Sequence, residues 1–172
     1  MKFIFYLAQS LDGYIADRNG NVEWLENIDT SDKGFDEFLN SVDAILMGRN
    51  TYDQILSFGE WPYSIPTYVI THNKITEPPN NNINSFADTT DNIISMLSRK
   101  NYDKVWVCGG NQLISKFENK NLFDVYIITI IPIFLGGGLS ALNLNKFSNT
   151  KRLESVRTFK DNTVILKYRN DK

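Results

Sequence analysis

The chain has 172 residues, 42% hydrophobic and 22% charged, and these ordinary globular values favour one compact domain over two domains or a disordered chain. With 18 basic and 20 acidic residues the formal net charge is -2, which excludes the broad positive field that binds a nucleic-acid backbone. Cys108 is the only cysteine and His72 the only histidine, so no intrachain disulfide and no metal site are expected.

The amino-terminal segment predicts a buried strand. Residues 2–8 are rich in aromatic and aliphatic side chains and form too short a run for a typical helix. The apolar run 1–7 stops at Gln9 and Ser10 and lacks the basic start of a signal peptide. Because no window approaches the ~20 apolar residues that a membrane helix needs, we expect a cytoplasmic protein without a membrane partner.

A turn-rich loop and a helix follow this strand. Asp12-Gly13 and Asn19-Gly20 are turn signals on either side of residues 14–16, so a mobile loop is predicted there. Apolar side chains three and four positions apart then predict the first helix: Phe35, Phe38, Leu39 and Val42. Three residues before it are candidate N-caps: Thr30, Ser31 and Asp32.

Two strand-to-helix turns contain glycine. Residues 43–47 form an apolar strand that breaks at Gly48 before a helical pattern over 51–58, and residues 104–108 form another that ends on Gly109-Gly110. Ligands of open α/β sheets bind outside the carboxyl ends of the strands, so both turns should face one crevice. Two helix N-termini there can hold a pyrophosphate, although each turn alone can also be a plain connection.

The remaining elements complete an alternating pattern. The β-branched run 67–71 predicts a strand, the Pro/Asn-rich stretch 77–84 predicts a surface loop, and Asp88 or Thr89 is the N-cap of a further helix. The longest apolar run, 125–131, is typical of a central strand buried on both faces.

The carboxy-terminal region predicts a hairpin. Residues 153–159 and 163–168 are strand-like and flank a turn at Asp161-Asn162. Strands that alternate with helices and close on a hairpin predict one α/β domain over 1–172. Its architecture would be three layers around a mostly parallel twisted sheet with a C-terminal antiparallel hairpin.

Four segments, spread over nearly the whole chain, occur in a recognisable order. They are 8–16 (AQSLDGYIA), 45–52 (ILMGRNTY), 105–110 (VWVCGG, with Leu113) and 131–138 (IPIFLGGG). Together they resemble the dihydrofolate reductase family and its close relative, the reductase domain of riboflavin biosynthesis (RibD C-terminal-like). The Ser-Leu-Asp-Gly sequence of the first segment and the Pro-x-x-Leu-Gly-x-Gly pattern of the fourth favour the riboflavin branch.

The resemblance implies a dihydrofolate reductase-like fold that binds NADPH. It places the first segment along the nicotinamide and the two glycine turns at the phosphates. Arg49 can bond two phosphate oxygens at once, and His72 is either a contact of the 2′-phosphate or an exposed loop histidine. The implied cofactor positions are Ala8, Ile15, Gly48, Arg49, Asn50, Thr51, Thr71, His72, Gly109, Gly110, Asn111, Gln112 and Leu113.

The substrate side is less defined. The family's true dihydrofolate reductases hold the pterin with one carboxylate of the first helix. Counting back from Gly48 places Asp32 there, counting forward from Trp24 places Asp29 there, and Asp36 is a third possibility. Asp32 is the catalytic candidate, but it can also be a helix N-cap, with water as the proton donor. The candidate substrate contacts are Asp12, Trp24, Asp36 and Tyr52.

Two of the candidate substrate contacts have an alternative structural role. Asp12 can form an Asx-turn, and Tyr52 can be a core residue. The resemblance implies a homodimeric NADPH-dependent reductase of a pterin, a riboflavin-pathway pyrimidine or a related small heterocycle. The alternative is a non-catalytic or regulatory protein that keeps only the nucleotide site.

Overall fold

The computed structural model describes residues 1–26, 28, 33–144 and 150–171. The elements in chain order are β1 (Lys2–Ser10), β2 (Tyr14–Ala16), a 3-10 turn (Glu23–Leu25), α1 (Phe35–Ser41), β3 (Ala44–Gly48), α2 (Arg49–Ser57), β4 (Thr67–Ile70), β5 (Ile83–Phe86), α3 (Thr90–Ser98), β6 (Lys104–Gly109), α4 (Asn111–Asn119), β7 (Phe123–Ile131), β8 (Leu139–Ser140), β9 (Lys151–Thr158) and β10 (Val164–Asn170).

Eight of the strands form one sheet in the order β5-β4-β3-β6-β1-β7-β10-β9. The pairs from β5 across to β7 are parallel, whereas β10 is antiparallel to both β7 and β9. The predicted α/β class, with a mostly parallel sheet and a C-terminal antiparallel hairpin, is therefore confirmed. The hairpin turns at Asn162, whose positive φ of 64° suits asparagine.

Helices cover both faces of the central sheet because successive side chains on each strand point to opposite sides. Phe3 and Phe5 of β1 pack with Phe117 of α4 in one cluster, and Ile4 of β1 packs with Phe38 of α1 in the other. This arrangement gives the predicted three layers. No helix in the described part of the chain is long and apolar enough to cross a membrane.

Two short strands and one edge strand depart from the sequence prediction. The surface loop predicted over 77–84 extends too far, because β5 begins at Ile83 and pairs with β4. Ile83 is its single fully buried residue, so β5 carries little apolar signal. The loop predicted around residues 14–16 contains β2, which pairs with β8. Neither β2 nor β8 has more than three residues.

The starts of α1 and α3 had predicted N-cap residues. Thr89 is the N-cap of α3, and its side chain accepts a hydrogen bond from the Asn92 backbone N–H. Helix α1 begins after Gly34, and the three cap candidates before it lie outside the described residues.

Strand β7 does lie inside the sheet, between β1 and β10, but Ile127 and Ile128 are only half-buried. Burial on both faces is thus partial.

Candidate functional site

The two glycine turns lie side by side at one edge of the sheet. Strands β3 and β6 are parallel neighbours, and Met47 is in register with Gly109. A Cβ atom on Gly48 would lie 3.5 Å from the backbone nitrogen of Gly110. The crevice expected from the two strand-to-helix turns is therefore present, with α2 and α4 both beginning at it.

The side chain of Thr51 fills the space between these turns. Its Oγ1 would lie 3.0 Å from a Cβ atom on Gly109 and 3.3 Å from one on Gly110. Both distances are shorter than ordinary van der Waals contact, so a Cβ atom at either position would force the Thr51 side chain to shift. The peptide bond between Gly109 and Gly110 is cis.

The N-termini of α2 and α4 are open to a ligand. Gly48 and Gly110 are the N-cap residues, and neither helix has a side-chain cap hydrogen bond. First-turn N–H groups without an intrahelical partner, together with the helix dipole, favour an anion. Arg49 stands in the first turn of α2, where its Nε donates to both carboxylate oxygens of Asp53 at 2.8 Å. This ion pair holds a half-exposed guanidinium beside the turn.

A cavity of about 360 Å³ opens at the same edge of the sheet. Its described lining is Tyr6, Leu7, Ala8, Ile15, Val22, Leu25, Ile28, Lys33, Phe35, Thr51, Gln54, Ile55, Tyr63, Trp106, Cys108, Gly109, Gly110, Ile114, Thr129 and Ile131. Five of the residues predicted to bind the cofactor therefore line the same cavity: Ala8, Ile15, Thr51, Gly109 and Gly110. The volume lies within the range of small-molecule and cofactor sites.

Aromatic side chains form one wall of this cavity. Phe35 makes edge-to-face contacts with Tyr6 and with Trp106, at ring centroid distances of 5.7 and 5.8 Å. Tyr63 packs against Trp106 in the same way at 5.7 Å. The indole Nε1 of Trp106 donates to the backbone oxygen of Tyr6 at 3.1 Å, which fixes the indole on the neighbouring strand. Such a wall suits a planar ring.

Tyr6 and Cys108 both line the cavity and both stay protonated at neutral pH. Burial raises the pKa of Tyr6, although a hydrogen bond with Thr129 and the charges of Arg157 and Lys33 oppose this. Burial also raises the pKa of the Cys108 thiol, to about 12. The tyrosine is consequently a neutral hydroxyl, and the thiol is not poised to act as a nucleophile.

Lys33 and Asp161 form an ion pair at the cavity that the sequence analysis missed. The Lys33 ammonium lies 2.7 Å from Oδ2 of Asp161, and only 4% of the lysine side chain is exposed. Asp161 also accepts a hydrogen bond from the Thr163 backbone N–H at 3.0 Å. The two partners are 128 residues apart, and no local motif connects them.

Asp12 ties together the loops that follow β1 and β7. Its carboxylate accepts hydrogen bonds from the Ser10 hydroxyl at 2.6 Å and from the backbone N–H groups of Leu135 and Gly136 at 3.1 and 2.8 Å. These bonds, that from Ser10 foremost, lower the pKa of Asp12. The side chain does not line the described cavity wall and acts as a clamp between loops.

The same pair of loops approaches closely at a second point. A Cβ atom on Gly138 would lie 2.0 Å from the backbone oxygen of Ala16, so this position accepts glycine alone. Arg18 adds a hydrogen bond to the Gly136 oxygen at 3.1 Å. Gln54 of α2 donates to the Gly20 oxygen at 2.8 Å and so holds the next part of the loop over the cavity.

Several predicted substrate contacts lie elsewhere in the described structure. Tyr52 is buried in the α1–α2 side of the core, 5.3 Å from the Trp61 ring centroid. Asp36 lines a separate cavity of about 290 Å³ together with Asn40. Trp24 is half-buried on the 3-10 turn, where its neighbours Val22 and Leu25 line the main cavity but Trp24 does not. Asp29 and Asp32 lie outside the described residues.

The remaining predicted cofactor positions surround the glycine turns. Asn50 of α2 and Gln112 of α4 are exposed, Asn111 is half-buried, and Leu113 is buried in the core under α4. Thr71 and His72 follow β4, the strand next to β3, so they lie toward the same edge of the sheet as Gly48. His72 is exposed. The Thr71 hydroxyl donates a hydrogen bond to the Asn73 backbone oxygen and accepts one from the Asn73 backbone N–H.

A family model described as the RibD C-terminal domain matches residues 62–166. This chain belongs to that family. The uncharacterized protein YyaP of Bacillus subtilis (strain 168) is 32% identical to this chain, over 97% of this chain and 94% of its own length. The fold and the family that the four sequence segments indicated are therefore confirmed.

Solved structures share the fold of this RibD C-terminal domain protein. A putative riboflavin biosynthesis protein from Shewanella sp. PV-4 superposes with a TM-score of 0.87 at 33% identity, over 100% of both chains. A diaminohydroxyphosphoribosylaminopyrimidine deaminase/5-amino-6-(5-phosphoribosylamino)uracil reductase from Thermotoga maritima superposes with a TM-score of 0.74 at 20% identity. That match covers 98% of this chain and 56% of the Thermotoga maritima chain.

Proposed function

We propose that this protein is an NADPH-dependent reductase that transfers a hydride to a small planar heterocycle. The observation that carries the proposal is the junction of two uncapped helix N-termini with an aromatic-walled cavity at one edge of the sheet. The first feature is suited to a pyrophosphate and the second to planar rings. Membership of the RibD C-terminal domain family adds support.

The residues at this edge are compatible with a dinucleotide. The first-turn N–H groups of α2 and α4 would hold the pyrophosphate, and Arg49 would add a guanidinium beside it. Glycine at 109 and 110 keeps the backbone close to Thr51, so that no side chain blocks the approach of the phosphates. Ala8 and Ile15 would contact the nicotinamide through apolar surface.

When bound, NADPH supplies the hydride for the reduction. The protein's own residues would position the acceptor, because Phe35 and Trp106 give the cavity an aromatic wall for a planar heterocycle. The neutral Tyr6 hydroxyl offers a hydrogen-bond donor in that wall. Asp32, which lies outside the described residues, is the candidate proton donor from the sequence, and water is the alternative.

Two titrations test this function. NADPH is added while tryptophan fluorescence is recorded, since Trp106 lines the cavity, and we expect saturable quenching. NADPH oxidation is then followed with dihydrofolate, with 5-amino-6-(5-phosphoribosylamino)uracil and with the dephosphorylated form of that pyrimidine. Failure to bind NADPH at roughly 1 mM, the upper end of ordinary cofactor KM values, would contradict the proposal. Binding without oxidation of any acceptor would favour a regulatory protein that keeps only the cofactor site.

A further inference from the structure

Three polar groups of the cavity wall are already hydrogen-bonded within the protein. The indole N–H of Trp106 donates to the Tyr6 backbone oxygen at 3.1 Å. The side-chain amide of Gln54 donates to the Gly20 oxygen at 2.8 Å, and the Tyr6 hydroxyl has a hydrogen bond with Thr129. These bonds would have to be broken or shared before the same groups could bind a ligand.

Tyr63, in contrast, has a hydroxyl group that makes no hydrogen bond within the described residues. The residue is half-buried and lines the cavity. Its ring is fixed by edge-to-face contacts with Trp61 and Trp106, at centroid distances of 5.4 and 5.7 Å. Packing therefore sets the orientation of the ring and leaves its polar end available to a ligand.

The Tyr63 hydroxyl lies near Cys108 and stays protonated. Burial, and next the nearby Cys108 side chain, raise the pKa of Tyr63 above its ordinary value. Tyr63 also borders the second cavity, but the thiol that affects its titration belongs to the lining of the main one. The phenol is therefore a neutral hydrogen-bond donor on the side of the main cavity.

A ring that carries a carbonyl group would benefit from such a donor. A carbonyl oxygen that enters a cavity lined mainly by apolar and aromatic side chains loses its water, which costs free energy unless a donor replaces it. The phenol oxygen itself is a poor acceptor, because it shares a lone pair with its ring. Since the Tyr63 hydroxyl has no partner among the described residues, it can donate to a ligand without breaking a bond there.

We propose that Tyr63 is a specificity-determining residue whose hydroxyl donates a hydrogen bond to a ring carbonyl oxygen of the bound heterocycle. This inference rests on the proposed reductase function and adds to it the polar atom by which the substrate is recognised. Because burial keeps the phenol protonated, Tyr63 binds the ring and does not deliver the proton of the reduction.

The test compares two rings of nearly the same size. Pteridine-2,4-dione has carbonyl oxygens where 2,4-diaminopteridine has amino groups, so the first offers acceptors at the places where the second offers donors. Each is titrated into the NADP⁺-loaded protein, and calorimetry gives the affinities. We expect the wild-type protein to bind the dione more tightly. Tyr63→Phe should reduce this preference by about threefold to tenfold, the effect of one neutral hydrogen bond.

Tyr168→Phe is the matched control. Tyr168 of β10 is also half-buried, its hydroxyl makes no hydrogen bond within the described residues, and it does not line the cavity. The preference for the dione should equal that of the wild-type protein. Urea unfolding of ligand-free Tyr63→Phe is a second control. Phenylalanine keeps the ring contacts, and no bond to a described residue is lost, so the free energy of unfolding should not fall.

Several results would overturn the inference. They are binding of neither ring or tighter binding of the diamine by the wild-type protein, an unchanged preference in Tyr63→Phe, and an equal change in Tyr168→Phe. A lower stability of ligand-free Tyr63→Phe would show that the hydroxyl serves the fold, again contrary to the proposal. Failure of the wild-type protein to bind NADP⁺ is measured separately and contradicts the reductase function itself.

Discussion

Thr51 and Gly110 are packed so closely that a Cβ atom at position 110 would crowd the threonine hydroxyl. Thr51 Oγ1 would lie 3.3 Å from a Cβ atom on Gly110. This contact joins the first turn of α2 to the start of α4. We expect Gly110→Ala to lower the free energy of unfolding by about 1 kcal/mol, the lower end of overpacking costs. Urea unfolding without cofactor measures this effect.

The double variant Gly110→Ala/Thr51→Ala tests the cause. Because the close contact is with the threonine oxygen, truncation to alanine should recover most of the loss caused by the substitution at 110. Simple additivity of the two single variants would show that the destabilisation does not arise from this contact.

Arg49 provides a test of where the phosphates bind. Its guanidinium is held by Asp53 in the first turn of α2, beside the glycine turns. We expect Arg49→Ala to weaken NADPH binding by roughly tenfold or more, because a charge-assisted hydrogen bond contributes about 1.5–3 kcal/mol. The matched control is Arg152→Ala, which removes a comparable exposed pair with Asp171 on the far edge strand. Equal NADPH affinities in the wild-type and Arg49→Ala proteins would contradict our placement of the pyrophosphate.

The two glycine turns of the candidate site could be predicted from sequence because their determinants are local. Gly48 and Gly109-Gly110 each directly follow an apolar strand and precede a helix, so their place at the sheet edge follows from chain order. Edge strand β5 was missed for a local reason as well, since Ile83 is its single fully buried residue. A strand of four residues with one buried position has no detectable alternation.

The Lys33–Asp161 pair at the cavity could not be predicted because its contact is long-range. Lys33 and Asp161 meet only when the C-terminal hairpin packs beside the start of α1, and nothing near either residue marks them as partners. Tyr52 shows the opposite difficulty: its helical spacing suits both a core residue and a stacking residue, and the fold buries it against Trp61. Local pattern cannot distinguish these roles, since burial depends on which elements become neighbours.

The depressed pKa of Asp161 predicts a specific loss of stability in acid. The value is about 2 in the folded protein against an ordinary value of 3.8, so the folded state favours the ionised form. The stabilisation is fully present above about pH 4 and is lost as the pH falls toward 2. We expect the stability of Asp161→Asn to fall less steeply over this window. Denaturant unfolding at a series of pH values measures both slopes, and parallel slopes would contradict the assignment.

A buried ion pair anchors the C-terminal hairpin to α4. Lys151 of β9 lies 3.2 Å from Glu118 of α4, whose side chain is only 2% exposed and also accepts the Tyr126 hydroxyl. Lys151→Met removes a cation that lies 3.2 Å from a buried carboxylate, so we expect a loss of about 3 kcal/mol in the free energy of unfolding. The control is Lys120→Met, which breaks the exposed pair with Asp91 and should cost less than about 1 kcal/mol. Similar losses in both variants would show that burial of the pair does not matter.

The clamp formed by Asp12 should control the local stability of the loop after β7. Because the Leu135 and Gly136 N–H groups donate to this carboxylate, Asp12→Ala removes their acceptor. We expect faster amide hydrogen exchange at these two residues and slower NADPH oxidation, since Ile15 in the clamped loop lines the cavity.

Asp88→Ala is the matched control for this prediction. It also deletes a carboxylate that accepts a hydrogen bond from a backbone N–H, in this case that of Thr89 at 2.7 Å. This carboxylate lies at the start of α3, away from the loop after β7. Exchange at Leu135 and Gly136 should be unaffected in that variant. If Asp12→Ala left their exchange unchanged, the two amides would be protected by something other than the aspartate.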